Sequence, residues 1–372
     1  MRAIIRATFV VVVAGALGAC SPLYVLRAGI EEARILSRRQ PISELVAAPA
    51  TPPEVRRKLA LVLDARTFAD EGLGLDVGDS YTTFSRIDRD TLALVLSAAR
   101  QDRFEQVTWW FPIVGRIPYK GFFSSASAQR AARGLEAKGY DTYIRPTAAF
   151  STLGWFSDPL LSTLLDYDDV TLVATVIHEL THNSLYLPSQ AAFNESFASF
   201  VGDRGAAEFF CRLEGDDAPR CRRALAFWRD NLRFGGFLES LIRELETLYG
   251  RTDLSLEQTL RLREVVFADA RQRFAAELQP TLEVTTFEAF ARAPLNNATL
   301  IARRLYFDRL HRFEAAYEAL GRDLAAATAA IMQAAEAAEG DPYGALERII
   351  AAAAGVVPTP APAPAPAPAP RL

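Results

Sequence analysis

The segment that most restricts the fold is Val176-Ile-His-Glu-Leu-Thr-His182, which continues an apolar, β-branched run beginning at Thr171. A run of this composition is apolar around its whole circumference, so it predicts a helix buried through the centre of a domain. Asp168 or Asp169 would cap its start. Four residues separate His178 from His182, and on a helix that spacing puts both imidazoles on one face, one turn apart. The chain contains only three histidines, and two of them stand here. Each can offer a neutral nitrogen to one divalent ion. Glu179 sits where its carboxylate can take a proton from a water beside that ion. This His-Glu-x-x-His pattern points to Zn2+.

A catalytic zinc takes three protein ligands and keeps a position open for water. His311 lies far along the chain in Arg309-Leu-His-Arg312, a charged stretch that reads as solvated helix surface. Glu195 is better placed. It follows the break at Pro188 and opens a new helix, Phe193 to Gly202, whose apolar phase would pack it beside the first. Zinc hydrolases add a donor that stabilises the oxyanion; Tyr306 is the first candidate, with Tyr186 and Tyr119 as alternatives. Asn296 and Asn297 follow Pro294, and either bind substrate main chain or cap a helix. The stretch from Tyr143 to Leu153 reads as an edge strand able to align an extended peptide. Asp158 is expected at the cleft mouth, receiving a peptide amino terminus.

Arg2 and Arg6 flank the start of an apolar run, Ala7 to Ala19, that is too short to span a bilayer and reads as an export signal over 1–19. Residues 20–52 would be an anchor and a first helix, Tyr24 to Arg39. Residues 53–165 mix a helix over Pro53 to Leu75 with strands near Leu92, Val107 and Thr142, and a helix from Ser125 to Gly139 opened by a capping serine. Residues 166–355 read as a helical catalytic part, with helices near 168–186, 192–212, 218–249, 256–278, 296–321 and 323–338. The Pro-Ala alternation within 356–372 predicts an extended tail. The fold class is α+β with helices dominant and a small mixed sheet ahead of the histidine helix. Cys211 and Cys221 bracket a turn, and are either bridged or two free buried thiols. A net charge of −4, spread along the chain, excludes a broad basic face for nucleic acid.

Leu17-Gly-Ala-Cys20 resembles the lipobox of bacterial lipoproteins. The resemblance implies cleavage before Cys20, a diacylglyceryl group on its thiol and, with Ser21 next, an outer-membrane anchor facing the periplasm; a plain signal peptide is the alternative. His-Glu-x-x-His followed by Asn194-Glu195 resembles the gluzincins, which implies a zincin-like fold with Glu195 as third ligand and Glu179 as general base. Two departures stand out: the connection from His182 to Glu195 is short, and Ser199 occupies the place of an orienting aspartate, leaving Asp203 as its substitute. A closer resemblance, to a bacterial family of predicted aminopeptidases rich in lipoproteins, covers most of the chain. It rests on Arg66-Thr-Phe-Ala69, Gly72-Leu-Gly-Leu75, Trp110-Phe-Pro-Ile-Val-Gly115 with Tyr119 and Gly121, Phe150 to Thr163, the histidine motif, Phe193 to Ala198, and Leu295-Asn-Asn-Ala298 with Tyr306. Phe150 departs from the family's tyrosine. The resemblance implies a zinc metallopeptidase acting on peptide or protein substrates. Three functions follow: an aminopeptidase, an endopeptidase of envelope proteins, or a non-catalytic lipoprotein braced by zinc. A structural site needs no base, so Glu179 argues against the last.

Overall fold

The computed structural model describes residues 35–87, 93–111, 115–147 and 157–353. Cys20 with its lipobox, most of the expected helix from Tyr24, Phe150 and the Pro-Ala tail lie outside these residues. The chain divides into two units, one ending at His311 and one beginning at Arg312. No helix among the described residues is long and apolar enough to cross a membrane.

The first unit opens with β1 (Gln40–Pro41), α1 (Ile42–Ala47) and α2 (Pro53–Thr67), then β2 (Thr83–Ser85), β3 (Ala93–Arg100), β4 (Trp109–Phe111), β5 (Gly115–Ile117) and β6 (Tyr119–Phe122). After these come α3 (Ser125–Glu136), β7 (Tyr140–Thr147) and β8 (Leu160–Leu161). The helical part follows as α4 (Asp169–Ser184), α5 (Ala191–Glu214), α6 (Pro219–Tyr249), α7 (Leu256–Arg273), α8 (Glu288–Arg292) and α9 (Asn297–Phe307), and α10 (Leu310–Ala319) runs across the division. In the second unit α11 (Leu324–Glu336) starts at Asp323, whose side chain accepts from the Ala326 N–H, and packs on α12 (Pro342–Ala353). Helices dominate, and the class is α+β.

Instead of one mixed sheet, the described residues form three small ones. In one sheet β3 is central and antiparallel to both β6 and β7, with Ser97 opposite Tyr119 on one side and Tyr143 on the other. The mixed sheet is β1–β2–β8, where β2 runs parallel to β8. β4 and β5 form a separate hairpin. The serine before α3 makes no side-chain cap bond, contrary to expectation.

α4 is the centre of the unit. β-branched residues cost a helix a few tenths of a kcal/mol each in lost rotamer freedom. Val170, Leu172, Val173, Val176, Ile177 and Leu180 are all buried, and each burial returns roughly 1.5–3 kcal/mol. The Asp168 carboxylate closes the start of the helix, accepting from the N–H groups of Val170 at 3.1 Å and Thr171 at 3.3 Å. A second core, built on Phe234, Leu241, Phe267, Phe274 and Phe290, lies among α6, α7 and α8.

α9 joins the sheet to the helices, packing on β3, β7, α5 and α6. Its anchor is Asn297, which is fully buried. The Asn297 amide donates to the Arg100 carbonyl at 2.9 Å and its oxygen accepts from the Tyr249 hydroxyl at 2.8 Å. The Asn297 backbone N–H donates to Asp141 at 3.0 Å, and Asp141 in turn pairs with the buried Arg263 at 2.9 Å. One residue, through its side chain and its backbone N–H, thus ties β3, β7, α6 and α9 together.

The single helix expected over 296–321 is interrupted at Asp308 and Arg309, where Arg309 takes φ +52°. The cause lies elsewhere in the chain: the Ser196 hydroxyl on α5 donates to the Leu305 carbonyl at 2.9 Å and accepts from the Asp308 N–H at 3.0 Å, replacing the next turn of the ladder. The helix from Leu256 also stops short of expectation, at Arg273, and continues as a wider π turn to Leu278.

Asn297→Ala should lower unfolding free energy by about 2–4 kcal/mol, because buried carbonyls and a phenol lose their partners. Urea denaturation followed by circular dichroism measures this, and a loss under about 0.5 kcal/mol would remove Asn297 from the role given to it.

Candidate metal centre

His178, Glu179 and His182 lie on the second half of α4, and Glu195 lies in the first turns of α5. Two devices bring these helices together. Asn194 clamps the loop between them: its side-chain oxygen accepts from the Leu187 N–H at 3.0 Å while its amide donates to the Leu187 carbonyl at 2.8 Å. Two turns further on, Gly202 lets the backbones touch. A Cβ there would meet the Ala174 carbonyl oxygen at 2.6 Å and the His178 nitrogen at 3.1 Å, so any side chain would push α5 away from the histidines.

The Nε2 atoms of both imidazoles face the same Glu195 carboxylate oxygen, His178 at 3.4 Å and His182 at 3.7 Å. One donor atom from each of the three residues lies within 4.8 Å of the others. Ligands held about 2.0–2.1 Å from a tetrahedral zinc stand about 3.3–3.4 Å apart, so the spacing and the donor chemistry both fit such an ion. The imidazole rings are nearly perpendicular, with centroids 4.9 Å apart. Burial opposes charge on Glu195, but the two imidazoles outweigh it and hold the carboxyl well below its ordinary range. Burial likewise opposes a charged His182, and Glu195 overcomes it, raising the pKa. The other grouping of metal-binding residue types, Cys211, Asp216 and Cys221, is accounted for differently, because the two cysteines are disulfide-bonded to each other.

A ring of phenols surrounds the three donors. Tyr306 stacks on His178 with centroids 6.1 Å apart, and its hydroxyl accepts a hydrogen bond from Arg145 at 3.0 Å. Burial first, then the Glu195 charge, push its pKa up to about 12. Tyr119 and Tyr186 are also raised by burial and then by Glu195, so all three tyrosines considered from sequence stand near that carboxylate. Glu179 acts in the same way, after burial, on Tyr81 and Tyr167. Arg145, on β7, has no forerunner in the sequence reading; its one signal was a cation within a run otherwise suited to a strand.

Residues 23–341 match the family described as "Putative aminopeptidase". The chain belongs to that family. Membership supports a peptidase role. No curated protein and no solved structure matches the chain.

Two residues expected to bind the family's substrate, Asn296 and Asn297, are otherwise engaged. Asn296 caps α9, its oxygen accepting from the Thr299 N–H at 2.8 Å, and its amide donates to the Thr142 carbonyl at 3.1 Å. Asn297 is consumed by the buried ties described above, so neither amide is available to a peptide. Asp158 is only 6 % exposed, with its backbone carbonyl accepting from the Tyr81 N–H at 2.8 Å. His311 stands at the surface, 3.6 Å from Glu239. The edge strand expected from Tyr143 is present as β7, which pairs with β3 on one side only; residues 148–153 lie outside the described ones.

Asp203, expected to orient a histidine, makes no hydrogen bond to either imidazole among the described residues. Its carboxylate accepts from the Asn231 amide at 2.7 Å, and the buried His182 Nδ1 has no hydrogen-bond partner among the described residues. Asp203 and Ser199 instead line a cavity of about 550 Å³ that also reaches Asn231, Phe287 and Tyr306.

Burial raises the Asp203 pKa to about 7. Between the unfolded value of about 4 and the folded value, the folded state holds the extra proton, so stability falls as pH rises through that window. In chelator-treated protein, Asp203→Asn should flatten this fall, gaining about 3–4 kcal/mol on wild type between pH 4 and pH 8. Parallel urea curves at the two pH values measure it, and equal pH dependence in both proteins would contradict the assignment.

Proposed function

We propose that the chain is a zinc metallopeptidase whose metal is held by His178, His182 and Glu195, and that it acts as an aminopeptidase. The observation that carries this is the meeting of two imidazoles and one carboxylate at tetrahedral spacing, with Glu179 on the same helix. Family membership supports the peptidase part. Zinc, when bound, supplies Lewis-acid polarisation of the scissile carbonyl and of a water molecule. Glu179 accepts the water's proton and delivers it to the leaving amine. Tyr306, a phenol that stays protonated at neutral pH and, with its raised pKa, into alkaline solution, has a lone pair engaged by Arg145 and its own proton free for the developing oxyanion. The side of β7 left unpaired among the described residues offers backbone groups to an extended peptide, on the strand that carries Arg145.

The proposed setting is the cell envelope. The short apolar run and Leu17-Gly-Ala-Cys20 support a lipid anchor at Cys20, facing the periplasm from the outer membrane. The disulfide between Cys211 and Cys221 suits an oxidising compartment.

Glu179→Gln should retain about the wild-type zinc content while peptide hydrolysis falls by on the order of 10²- to 10⁴-fold. Metal analysis with a fluorogenic peptide assay checks both arms, and hydrolysis at the wild-type rate would reject the base. Chelation should abolish hydrolysis and added zinc restore it. Acetylating the substrate amine should stop cleavage by an aminopeptidase, whereas undiminished cleavage would mark an endopeptidase.

A further inference from the structure

The buried Arg263 has an architectural role and is paired, meeting Asp141 at 2.9 Å. Two partly buried arginines are not paired in this way. Arg145 on β7 and Arg303 on α9 have buried N–H groups, Nε of Arg145 with Nε and Nη2 of Arg303, that find no acceptor among the described residues. No carboxylate of the described residues forms an ion pair with either. Arg303 lies over the Phe290 ring at 5.4 Å, but a ring face leaves in-plane N–H donors unsatisfied. The two cations stand on elements that pack on each other, β7 and α9. Burial, and behind it the charge of Arg145, lower the Arg303 pKa, while the Tyr143 phenol opposes this.

Partly desolvated N–H donors with no acceptor are costly, and an anion presenting oxygens to both forks would supply the missing acceptors. The location says what that is. Arg303 precedes Tyr306 by one turn of α9, and Arg145 hydrogen-bonds the Tyr306 hydroxyl, whose ring stacks on His178. Whatever binds here is within reach of the metal centre. Planar guanidinium forks match carboxylates in bidentate geometry.

We propose that Arg145 and Arg303 form a carboxylate-binding subsite beside the metal centre, filled by the free C-terminus of a short peptide or by an acidic side chain of the substrate. That the ligand is a peptide rests on the peptidase reading; the anion specificity rests on the arginines alone. Occupation by a C-terminus would limit substrates to a few residues, because the chain must end close to the reacting bond. Occupation by a side chain would leave length unrestricted and select aspartate or glutamate.

The test is equilibrium binding by calorimetry to the full-length Glu179→Gln protein in detergent, where turnover does not interfere. One arm compares trialanine with trialanine amide. The other compares Ala-Glu-Ala-amide with Ala-Gln-Ala-amide. One arm should show a preference for the carboxylate on the order of 10- to 100-fold, and Arg303→Met should abolish it. Arg303→Lys, which keeps charge but not the fork, should retain a smaller preference and covers the case in which the methionine variant does not fold. Absence of preference in both arms overturns the subsite. A preference unchanged in folded Arg303→Met and Arg145→Met also overturns it, because the carboxylate would then be binding the metal ligands' ion. Zinc content and hydrolysis, measured separately on wild type, decide the peptidase reading: a chain lacking both that still shows an arginine-dependent preference keeps the subsite and loses the zinc chemistry.

Discussion

The contact on which the rest depends is the bare backbone approach of α5 to α4 at Gly202. Glu195 reaches two imidazoles on the neighbouring helix only because the helices touch there with no side chain between them. A carboxylate in that position would be expensive to bury alone. The imidazoles reverse the balance, and the tight packing of α4 keeps them from turning away.

Three consecutive residues at the start of α5 then divide the work of placing everything else. Asn194 pins the incoming loop at Leu187, Glu195 meets the histidines, and Ser196 ends α9 at Leu305 and Asp308. Because α9 carries Tyr306 and Arg303, the same short stretch sets both the carboxylate and the groups facing it. Asn297 locks the opposite end of α9 to the sheet, so Arg145 on β7 and Tyr306 on α9 are held between two buried polar anchors.

Much of this was legible in the chain. The apolar run before His178 announced a central helix, the four-residue spacing put both imidazoles on one face, and the next helix start pointed to Glu195. These are local signals, written within about two helical turns each. What escaped was set by contacts between distant segments. Nothing near Asp308 interrupts the helical pattern; the interruption comes from Ser196, 112 residues earlier. Asn296 and Asn297 looked like substrate amides because their partners, backbone carbonyls of Thr142 and Arg100, carry no side-chain signature. Arg145 and Arg303 are unremarkable apart, and become informative only when a strand and a helix bring them together without a counter-ion.

The disulfide adds something different. Cys211 lies sixteen residues along α5 from Glu195, which at about 1.5 Å per residue is roughly 24 Å of rigid helix. Closing so short a loop restrains the unfolded chain by about 2–3 kcal/mol without touching the donors. Durability and the candidate metal donors are therefore lodged at opposite ends of one helix, and a reducing environment would erode the first while leaving the second in place in every molecule that stays folded.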